Sequence, residues 1–378
     1  MRILHWCDCY PPLRGGTETV VQRLATAMAA RGHQVAVATD VTEAGLGDEV
    51  DGGVSVYRFN FRRPLQMHDP AAVLRTLKAV SGLKQAFRPD VIHLHFLGAS
   101  GFFHLRTSAA SAAPLVVTIH GGLGGCGEGE RSVLSALLNG ADWVTGVSRA
   151  MVDEARRAAP EIGPRSSVIY NGDDHSPVVT MPDRPPFILC FGRHVRDKGF
   201  DLAISAMPAI LARHPDVRLV IASDGPERSA LEAQTRELDL ANRVEFVGWL
   251  GDAELRDIVA RATMAIVPSR WGEGFGLVAL EAALAGRPVI AADFGGLPEV
   301  VIDGEVGLIV KTEDPSAISA AAVRLLDDPA LAMRLGRAAA VRAREEFSLN
   351  RQLDNFAALY EKLGVARLTG HIHERPRP

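Results

Sequence analysis

Short apolar runs alternate along this chain with longer segments in which apolar residues recur at helical spacing. In the first half, the apolar runs predict strands at residues 2–6, 34–39, 54–59, 91–95, 115–120, 143–147 and 167–170. Between the first two runs, Leu24, Ala27 and Met28 lie on one side of a predicted helix that ends at Gly32. The repeated β-α-β order predicts an α/β fold, with a parallel sheet covered by helices on both faces.

A stretch dense in turn-forming residues, 171–186, interrupts this alternation. The alternation then restarts, with strands predicted at residues 187–191, 217–222, 243–247, 264–267, 289–291 and 307–310. We therefore predict two Rossmann-like domains of similar size, residues 1–176 and 177–350. A final helical segment, 351–368, is expected to return towards the first domain, and residues 369–378 are expected to form a flexible tail.

Composition narrows the class of protein. The 378 residues suffice for about two domains, and 47% of them are hydrophobic, which is enough for real cores. The net charge of −4 argues against nucleic acid as a partner. Four cysteines do not make a disulfide framework, and no apolar run approaches the roughly 20 residues of a membrane span. We therefore expect a cytoplasmic protein.

The segment 270–281 combines glycines, acids and a helix start. A glycine-rich turn runs into a helix, with Glu273 in the turn and Glu281 on the second turn of the helix. Backbone N–H groups at a helix start bind anions, and glycines let the backbone approach them closely. On helical rise the two carboxylates lie at most about 12 Å apart. A nucleotide sugar has the matching chemistry, since it is anionic in the middle and carries hydroxyls at both ends.

Residues that directly follow strands are the main candidates for ligand binding, because ligands of α/β sheets bind beyond the carboxyl ends of the strands. Two cations, Arg193 and Lys198, follow the predicted strand at 187–191. A guanidinium offers a planar fork to phosphate oxygens and an ammonium offers a point charge, although a solvated charge cluster is the alternative interpretation. The same predicted sheet edge carries Gly192, Asp224, Gly225 and Gly248.

The first half has two weaker signals at strand ends. Gly15 and Gly16 precede the first helix and permit a backbone anion nest, although a flexible turn would have the same sequence. His120 follows the apolar run that begins at residue 115. It is placed to hydrogen-bond a substrate hydroxyl or to ease proton movement near neutral pH, and a purely structural histidine is the alternative.

Residues 122–127 imitate a dinucleotide fingerprint. They fit G-x-G-x-x-G after a strand, and Asp142 lies 20 residues after Gly122. The context disagrees, because Asp142 precedes a strand instead of ending one and the motif comes late in its sheet. An NAD-dependent oxidoreductase is therefore only a remote alternative.

The segment 62–88 carries six basic residues against one acid, a local balance of +5. Val73, Leu77 and Val80 follow helical spacing within it. The segment is either an amphipathic helix that rests on anionic lipid or an ordinary solvated helix face, and we favour the latter. A membrane surface is thus a candidate partner through this segment.

Taken in order, these motifs resemble the GT4 family of retaining glycosyltransferases, which have the GT-B fold. The likeness covers nearly the whole chain. Besides Glu273-x7-Glu281, it includes Gly15-Gly16, His120-Gly121, Ser148, Asn171-Gly172, Gly192-Arg193, Lys198, Asp224-Gly225-Pro226, Gly248 and Pro298-Glu299. The resemblance implies two Rossmann-like domains that face a central cleft, with the C-terminal helix packing back across the linker.

The resemblance also implies residue roles. Arg193 and Lys198 would neutralise the donor diphosphate, Glu281 would bind the ribose, and Glu273 would hold the hexose hydroxyls. His120 would contact the donor sugar or the acceptor. The implied catalytic residues are His120, Glu273, Arg193 and Lys198. The implied donor-binding residues are Gly16, Gly192, Arg193, Lys198, Asp224, Gly225, Gly248, Phe275, Gly276, Leu277 and Glu281.

The implied activity is a retaining transfer of a hexosyl group from a nucleotide-diphosphate sugar to an acceptor hydroxyl, with the acceptor left open. We favour a UDP-sugar, and the alternative is a GDP-mannose-dependent mannosyltransferase that acts on a lipid or glycan acceptor at the inner membrane face. No aspartate lies two residues from another, so the D-x-D motif of the other common glycosyltransferase fold is absent and we expect no metal or cofactor. A non-catalytic sugar-nucleotide binding protein is a remote alternative.

Overall fold

The computed structural model describes residues 1–13, 15–41, 48–95, 98–123, 128–174 and 181–368. The chain divides into two compact units. Unit 1 comprises Met1–Tyr170 and Asn350–Pro378, and unit 2 comprises Asn171–Leu349. The predicted domain boundary at 176/177 and the predicted tail at 369–378 lie outside the described residues.

Unit 1 is built on one twisted sheet. Its described strands are β1 (Arg2–Trp6), β2 (Gln34–Asp40), β3 (Asp48–Asp51), β4 (Val54–Phe59), β5 (Val91–Leu94), β6 (Leu115–Ile119), β7 (Trp143–Gly146) and β8 (Ser166–Val168). The order across the sheet is β3-β4-β2-β1-β5-β6-β7-β8. All neighbours pair in parallel except β3 and β4, which pair antiparallel. The strand β3 was not predicted, because its sequence, DEVD, has neither an apolar run nor β-branched enrichment.

Helices cover both faces of this sheet. They are α1 (Gly16–Ala30), α2 (Arg62–Gln66), α3 (Pro70–Phe87), α4 (Ala99–Arg106), α5 (Glu128–Gly140) and α6 (Arg149–Ala158). Two 3-10 turns, Ser108–Ala110 and Pro160–Arg165, complete the described elements up to residue 170. The predicted first helix is confirmed with Leu24 and Met28 buried, and Gly32 follows it with a φ of +88°.

The basic segment 62–88 forms two helices, α2 and α3, and not one continuous amphipathic helix. The first helix ends at Gln66, and Asp69 caps the second, since its side chain accepts a hydrogen bond from the N–H of Ala72. Lys84 is buried, and its ammonium donates to the hydroxyl of Thr107 at 2.9 Å. The ammonium of Lys84 therefore points into unit 1, and the basic face that α2 and α3 present to solvent is weaker than the sequence count suggests.

Unit 2 repeats the parallel architecture. Its described strands are β9 (Phe187–Phe191), β10 (Arg218–Ala222), β11 (Val244–Gly248), β12 (Met264–Val267), β13 (Val289–Ala292) and β14 (Gly307–Val310). The order is β11-β10-β9-β12-β13-β14, and every pair is parallel. Apart from β11, in which only Val244 is buried, these strands are buried along nearly their whole length, which explains why they read as continuous apolar runs.

The helices of unit 2 lie between these strands in the sequence. They are α7 (Phe200–Leu211), α8 (Arg228–Glu237), α9 (Asp252–Arg261), α10 (Leu277–Leu284), α11 (Leu297–Val300), α12 (Pro315–Asp327) and α13 (Pro329–Glu346). A short 3-10 turn, Arg196–Lys198, precedes α7. One core cluster joins α7 and α12 to the central strands through residues such as Ile204, Leu219 and Ile318. Because all strands are parallel, their carboxyl ends share one edge, where the loops that carry the predicted donor-binding residues lie.

The last helix, α14 (Leu349–Leu368), packs in unit 1. Leu353, Phe356, Tyr360 and Leu363 recur at helical spacing and are buried. Asp354 on the other side pairs with Arg31 of α1 at 2.6 Å. No helix within the described residues is long and apolar enough to cross a membrane.

Candidate active site

An ion pair joins two predicted site residues in unit 2. The Lys198 ammonium donates to Glu273 Oε2 at 2.7 Å, and the Ser269 hydroxyl donates to the same oxygen at 3.0 Å. Glu273 is only 8% exposed. Lys198 follows β9 and Glu273 follows β12, and these strands are neighbours in the sheet. Parallel register therefore brings together two residues that are 75 positions apart in the sequence.

Arg270 holds the two loops of this ion pair against each other. Its guanidinium makes a two-pronged bond to Asp201 at 2.6 Å and 2.6 Å, and its Nε donates to Glu313 at 2.6 Å. The hydrogen bond to Asp201 is the main cause that raises the pKa of Arg270, so its charge is permanent. Its backbone N–H also donates to the carbonyl of Asp197 at 2.7 Å. These contacts fix the distance between the Lys198 and Glu273 loops before any ligand arrives.

Two glycines let these loops pack closely. A Cβ on Gly199 would overlap the carbonyl oxygen of Pro268, which precedes the Glu273 loop. Gly276 has a φ of +103°, and a Cβ there would lie 2.7 Å from a methyl group of Leu297. Gly276 is the N-cap of α10, so its left-handed backbone aims the first turn of that helix. The predicted cradle, with Phe275 and Gly276 leading into Leu277, is thus the start of a described helix.

Two more loops, those after β10 and β11, lie beside the Lys198 loop at the carboxyl edge of the sheet in unit 2. A Cβ on Gly225 would lie 2.5 Å from the carbonyl oxygen of His194, and the N–H of His194 donates to the carbonyl of Asp224 at 2.9 Å. The N–H of Ser223 donates to the carbonyl of Gly248 at 2.6 Å. The loops after β9, β10 and β11 are therefore in contact with one another.

The remaining predicted residues of unit 2 lie around these loops. A Cβ on Gly192 would lie 3.7 Å from Val278 on the first turn of α10. Arg193 is exposed, and its guanidinium makes no hydrogen bond or ion pair with any residue in the described part of the chain. Glu281 lies on the second turn of α10 and is half-buried, as its spacing from Glu273 predicted.

Gly16 and His120 belong to unit 1. Gly16 is exposed and is the first residue of α1, and the side chain of Glu18 packs against Gly15. His120 follows β6, and its Nε2 lies 3.0 Å from Nδ1 of His95. Burial lowers the pKa of His120 to about 3. Its ring is therefore neutral near pH 7, which disfavours the expectation that it eases proton movement there.

Two motif residues from the first half have structural partners. Ser148 is buried and caps α6, since its hydroxyl accepts from the N–H of Met151 at 3.2 Å. Asp142 accepts from the N–H of Leu115 at 2.8 Å, which holds β6 beside the start of β7. That contact agrees with the rejection of Asp142 as a ribose ligand, and the other part of that motif, 124–127, lies outside the described residues.

Sequence reasoning missed several residues that shape these sites. The sequence gives no signal for the contacts of Arg270 with Asp201 and Glu313, because these partners are distant in sequence. The role of Ser269 beside Glu273 is likewise not visible in the sequence. The sequence does carry a signal for two further histidines. In His93-Leu94-His95 the alternation places two imidazoles on the same face of a predicted strand.

Comparison with known proteins covers both units. Residues 14–176 match the family model described as Glycosyltransferase Family 4, and residues 173–342 match the one described as Glycosyl transferases group 1. A glycogen synthase of Mycobacterium tuberculosis is 33% identical over 412 residues, which cover 100% of this chain and 97% of that relative. A GDP-mannose-dependent alpha-(1-6)-phosphatidylinositol monomannoside mannosyltransferase of Mycolicibacterium smegmatis is 29% identical, over 86% of this chain and 90% of its own.

Solved structures show the same architecture. A sucrose-phosphate synthase from Thermosynechococcus elongatus superposes with a TM-score of 0.83 at 25% identity, over 97% of this chain and 100% of its own. Anabaena HepE in complex with UDP and glucose gives a TM-score of 0.79 at 21% identity, over 96% and 100%. These likenesses confirm the predicted fold class of two Rossmann-like α/β domains.

Proposed function

This chain belongs to glycosyltransferase family 4 and is a hexosyltransferase of the GT-B type, and we propose that it moves a hexosyl group from a UDP-sugar to an acceptor hydroxyl, with retention and without a metal ion. The family and enzyme class predicted from the sequence are confirmed. The donor, the stereochemistry, the metal independence and the residue roles are proposals.

One observation carries the proposal most strongly. The Lys198 ammonium and the Glu273 carboxylate are paired at 2.7 Å, in loops that contact the glycine-capped start of α10. The site therefore offers a cation and a helix N-terminus to a diphosphate, and an acceptor-only carboxylate to neutral hydroxyls. A nucleotide sugar needs both kinds of group within one ligand length.

The cations of unit 2 serve the leaving group. Cleavage of the anomeric C–O bond builds negative charge on the departing phosphate, and stabilising that charge is the main task of the site. Lys198 supplies one positive charge, and the start of α10 supplies roughly half a charge. The guanidinium of Arg193 is exposed and pairs with no described residue, so it is available to phosphate oxygens. In our proposal these groups stabilise the phosphate charge that a metal ion would otherwise stabilise.

Glu273 serves the transferred sugar. It is charged, buried and held by Ser269, so it accepts hydrogen bonds from hexose hydroxyls in a fixed position. In the proposed reaction the acceptor oxygen bonds to the anomeric carbon on the face from which the phosphate departs. The acceptor proton passes to an oxygen of the leaving phosphate. This exchange balances without a protein nucleophile.

The nucleoside is assigned to the other loops of unit 2. We assign the ribose hydroxyls to Glu281 on the second turn of α10. Backbone groups of the contacting loops at Gly192, Asp224-Gly225 and Gly248 would face the base and the adjacent phosphate. From unit 1 we assign Gly16 to the diphosphate and His120 to the sugar.

UDP is the donor nucleotide that we favour. Anabaena HepE has the same fold and was solved with UDP and glucose. GDP-mannose is the competing donor, because the relative from Mycolicibacterium smegmatis is named as dependent on it. A thermal-shift panel of UDP, GDP, ADP and NAD tests the base, and mass spectrometry of products from the corresponding donor sugars tests transfer. Stabilisation by GDP alone would replace the donor, and stabilisation by NAD alone would reject the nucleotide-sugar site.

Metal independence has its own test. Turnover measured after treatment with EDTA is expected to equal turnover in added Mg²⁺, because Lys198 and the start of α10 already offset the phosphate charge. A loss of turnover that Mg²⁺ restores would contradict this part of the proposal.

A lipid acceptor is the second candidate function. The same relative carries phosphatidylinositol in its name, and the exposed side of α3 carries Arg75 and Lys78. Co-sedimentation with vesicles that contain anionic phospholipid tests this alternative. Equal recovery in the supernatant with anionic and neutral vesicles at low salt would exclude it.

A further inference from the structure

One face of the unit 1 sheet carries a row of imidazoles. His5 lies on β1, His93 and His95 lie on and just after β5, and His120 lies just after β6. These strands are neighbours, and their register places His5 beside His93. Side chains two residues apart on a strand point to the same face. Parallel register therefore gathers these four residues, which we call the histidine cluster.

Three rings of the histidine cluster form a hydrogen-bonded chain. His5 Nδ1 lies 2.9 Å from His95 Nε2, and His95 Nδ1 lies 3.0 Å from His120 Nε2. His5 and His95 are buried, whereas His120 is partly exposed. Burial lowers the pKa of His5 to about 3 and that of His95 well below its ordinary value. All three rings are therefore neutral near pH 7, and each carries one N–H.

His5, at the buried end of this row of hydrogen-bonded rings, decides the direction in which the hydrogen bonds run. With one N–H on each ring, either His120 donates to His95 and His95 to His5, or both bonds run the opposite way. The first arrangement puts an N–H on His5 Nε2, which is buried and has no hydrogen-bond partner among the described residues. The second leaves an unprotonated nitrogen there. Orphaned buried N–H groups are rarer than orphaned acceptors, so the bonds run from His5 to His95 to His120.

We propose that His5 and His95 are positioning residues that fix His120 in its Nδ1–H tautomer. His120 Nε2 then accepts from His95, and only the Nδ1–H is left to meet a ligand. Within the described residues, the ring of His120 makes no hydrogen bond besides the one to His95. In the proposed transfer, His120 donates to an oxygen of the bound sugar and accepts no proton. The ligand in this inference rests on the proposed function, and the tautomer does not.

Metal binding is an alternative role for the same rings. Nitrogens of His5, His93 and His95 lie within 4.8 Å of one another, a spacing that suits a shared metal. His93, however, uses both of its ring nitrogens, at 2.6 Å from the Tyr360 hydroxyl and 2.6 Å from the Thr118 hydroxyl. A metal would have to break one of these bonds and also one of the two hydrogen bonds of His95, whose Nε2 faces His5 and whose Nδ1 faces His120. The hydrogen-bonded chain accounts for all the observed distances.

Nitrogen NMR of the full-length protein, labelled with nitrogen-15 histidine, reads the tautomer directly. No sugar or nucleotide is needed, and the His120→Gln spectrum assigns the His120 signals by their loss. We expect a protonated Nδ1 and an unprotonated Nε2 for His120 near pH 7. Neutral histidine in water prefers the opposite tautomer, so this result would require a local cause. An Nε2–H form in the wild-type protein would overturn the proposal.

Substitutions at His95 separate positioning from packing. His95→Phe keeps an aromatic ring but removes the donor, so His120 is expected to revert to the Nε2–H form. His95→Asn carries an amide N–H near the position of Nδ1 and is expected to keep the Nδ1–H form. His93→Gln is the matched control, because His93 is buried in the same cluster but does not bond to His120. If His95→Phe does not fold, His5→Leu provides the same test by removing the first donor of the chain.

Turnover gives a second readout. We expect kcat to fall about tenfold in His95→Phe, with KM for the donor little changed, and to stay within about twofold in His95→Asn. An unchanged His120 tautomer in both His95→Phe and His5→Leu would overturn the proposal, as would one zinc per wild-type chain that His95→Phe loses. The expected tautomer without any sugar transfer would instead contradict the proposed function and leave the positioning role intact.

Discussion

Replacing Glu273 by glutamine should tighten nucleotide binding while it slows transfer. In the free protein the Lys198 ammonium is held by the Glu273 carboxylate at 2.7 Å. A diphosphate that approaches Lys198 meets this carboxylate as a competitor and as a like charge. Glu273→Gln removes the negative charge but keeps an oxygen for the Ser269 hydroxyl, so the loop retains its hydrogen bond. Affinity and catalysis are therefore expected to move in opposite directions.

The size of the effect follows from the exposure of the pair. Two unit charges 4 Å apart attract by about 4 kcal/mol at an effective dielectric constant near 20. The Lys198 side chain is 25% exposed and that of Glu273 is 10% exposed, so water and salt screen part of this attraction. We discount it to about 1–2 kcal/mol, which corresponds to a Kd for UDP that is about 5–30-fold lower. Loss of charged hydrogen bonds to the sugar should lower kcat about 100-fold.

Calorimetric titration with UDP measures the affinity, and product formation from the donor sugar measures kcat. Lys198→Met is expected to weaken UDP binding about 10–100-fold, because it removes the cation itself. Glu245→Gln is the matched control, since Glu245 is an exposed carboxylate of the same unit that pairs with Arg218 at 3.0 Å. It should leave both quantities unchanged. The gain in Glu273→Gln should shrink at high salt.

Weaker UDP binding in Glu273→Gln would refute this reasoning. It would show that the carboxylate serves mainly to position the ammonium of Lys198, and that the repulsion between Glu273 and the diphosphate is negligible. Unchanged kcat would separately refute the assignment of Glu273 to the sugar.

Three further predictions concern stability. Gly276→Ala should destabilise unit 2 by about 1–3 kcal/mol in urea unfolding, because Gly276 has a φ of +103° and a Cβ would press on Leu297. Gly304→Ala, at a φ of +71° with open space around it, isolates the cost of the clash. Arg270→Lys should cost about 1–2 kcal/mol in the same assay, since an ammonium cannot reproduce the two-pronged bond to Asp201. Acid should unfold unit 1, as measured by circular dichroism. The unfolded chain takes up protons on the histidine cluster near pH 6.5, whereas the folded chain keeps these rings neutral. The stability is thus complete above about pH 6.5 and is lost as the pH falls towards 3, by about 1.4 kcal/mol per pH unit for each such histidine, and a flat titration between pH 6 and 4 would contradict the low pKa values.

The sequence predicted most strands of unit 2 well because they are buried along nearly their whole length. A strand such as Phe187–Phe191 is a continuous apolar run, and its burial imposes that pattern. The edge strand Asp48–Asp51 escaped prediction because it pairs on one side only and its sequence contains no apolar run. The order of strands across each sheet is also absent from local patterns, since it depends on pairing between strands that are distant in the sequence, such as β1 with β5.

The candidate site was likewise predicted only in part from the sequence. Glycines with a positive φ, such as Gly276, are visible in sequence because few other residues tolerate that backbone. The pairing of Lys198 with Glu273 was not predicted, because periodicity gives neither strand neighbours nor side-chain directions. The histidine cluster was missed for a further reason. Each imidazole alone resembles an ordinary core residue, and only the register of β1, β5 and β6 joins them.

The charges described within each unit bear on how the proton moves in the proposed transfer. Unit 2 presents fixed charges, with Lys198 and Glu273 already paired and Arg193 exposed. His120 in unit 1 is neutral, because burial lowers its pKa to about 3. A base with so low a pKa gains almost nothing by taking a hydroxyl proton near pH 7. Glu273 Oε2 already accepts hydrogen bonds from the Lys198 ammonium and the Ser269 hydroxyl. Of the groups discussed, the departing phosphate is the one whose basicity rises as the bond breaks, so it is the best placed to take the acceptor proton.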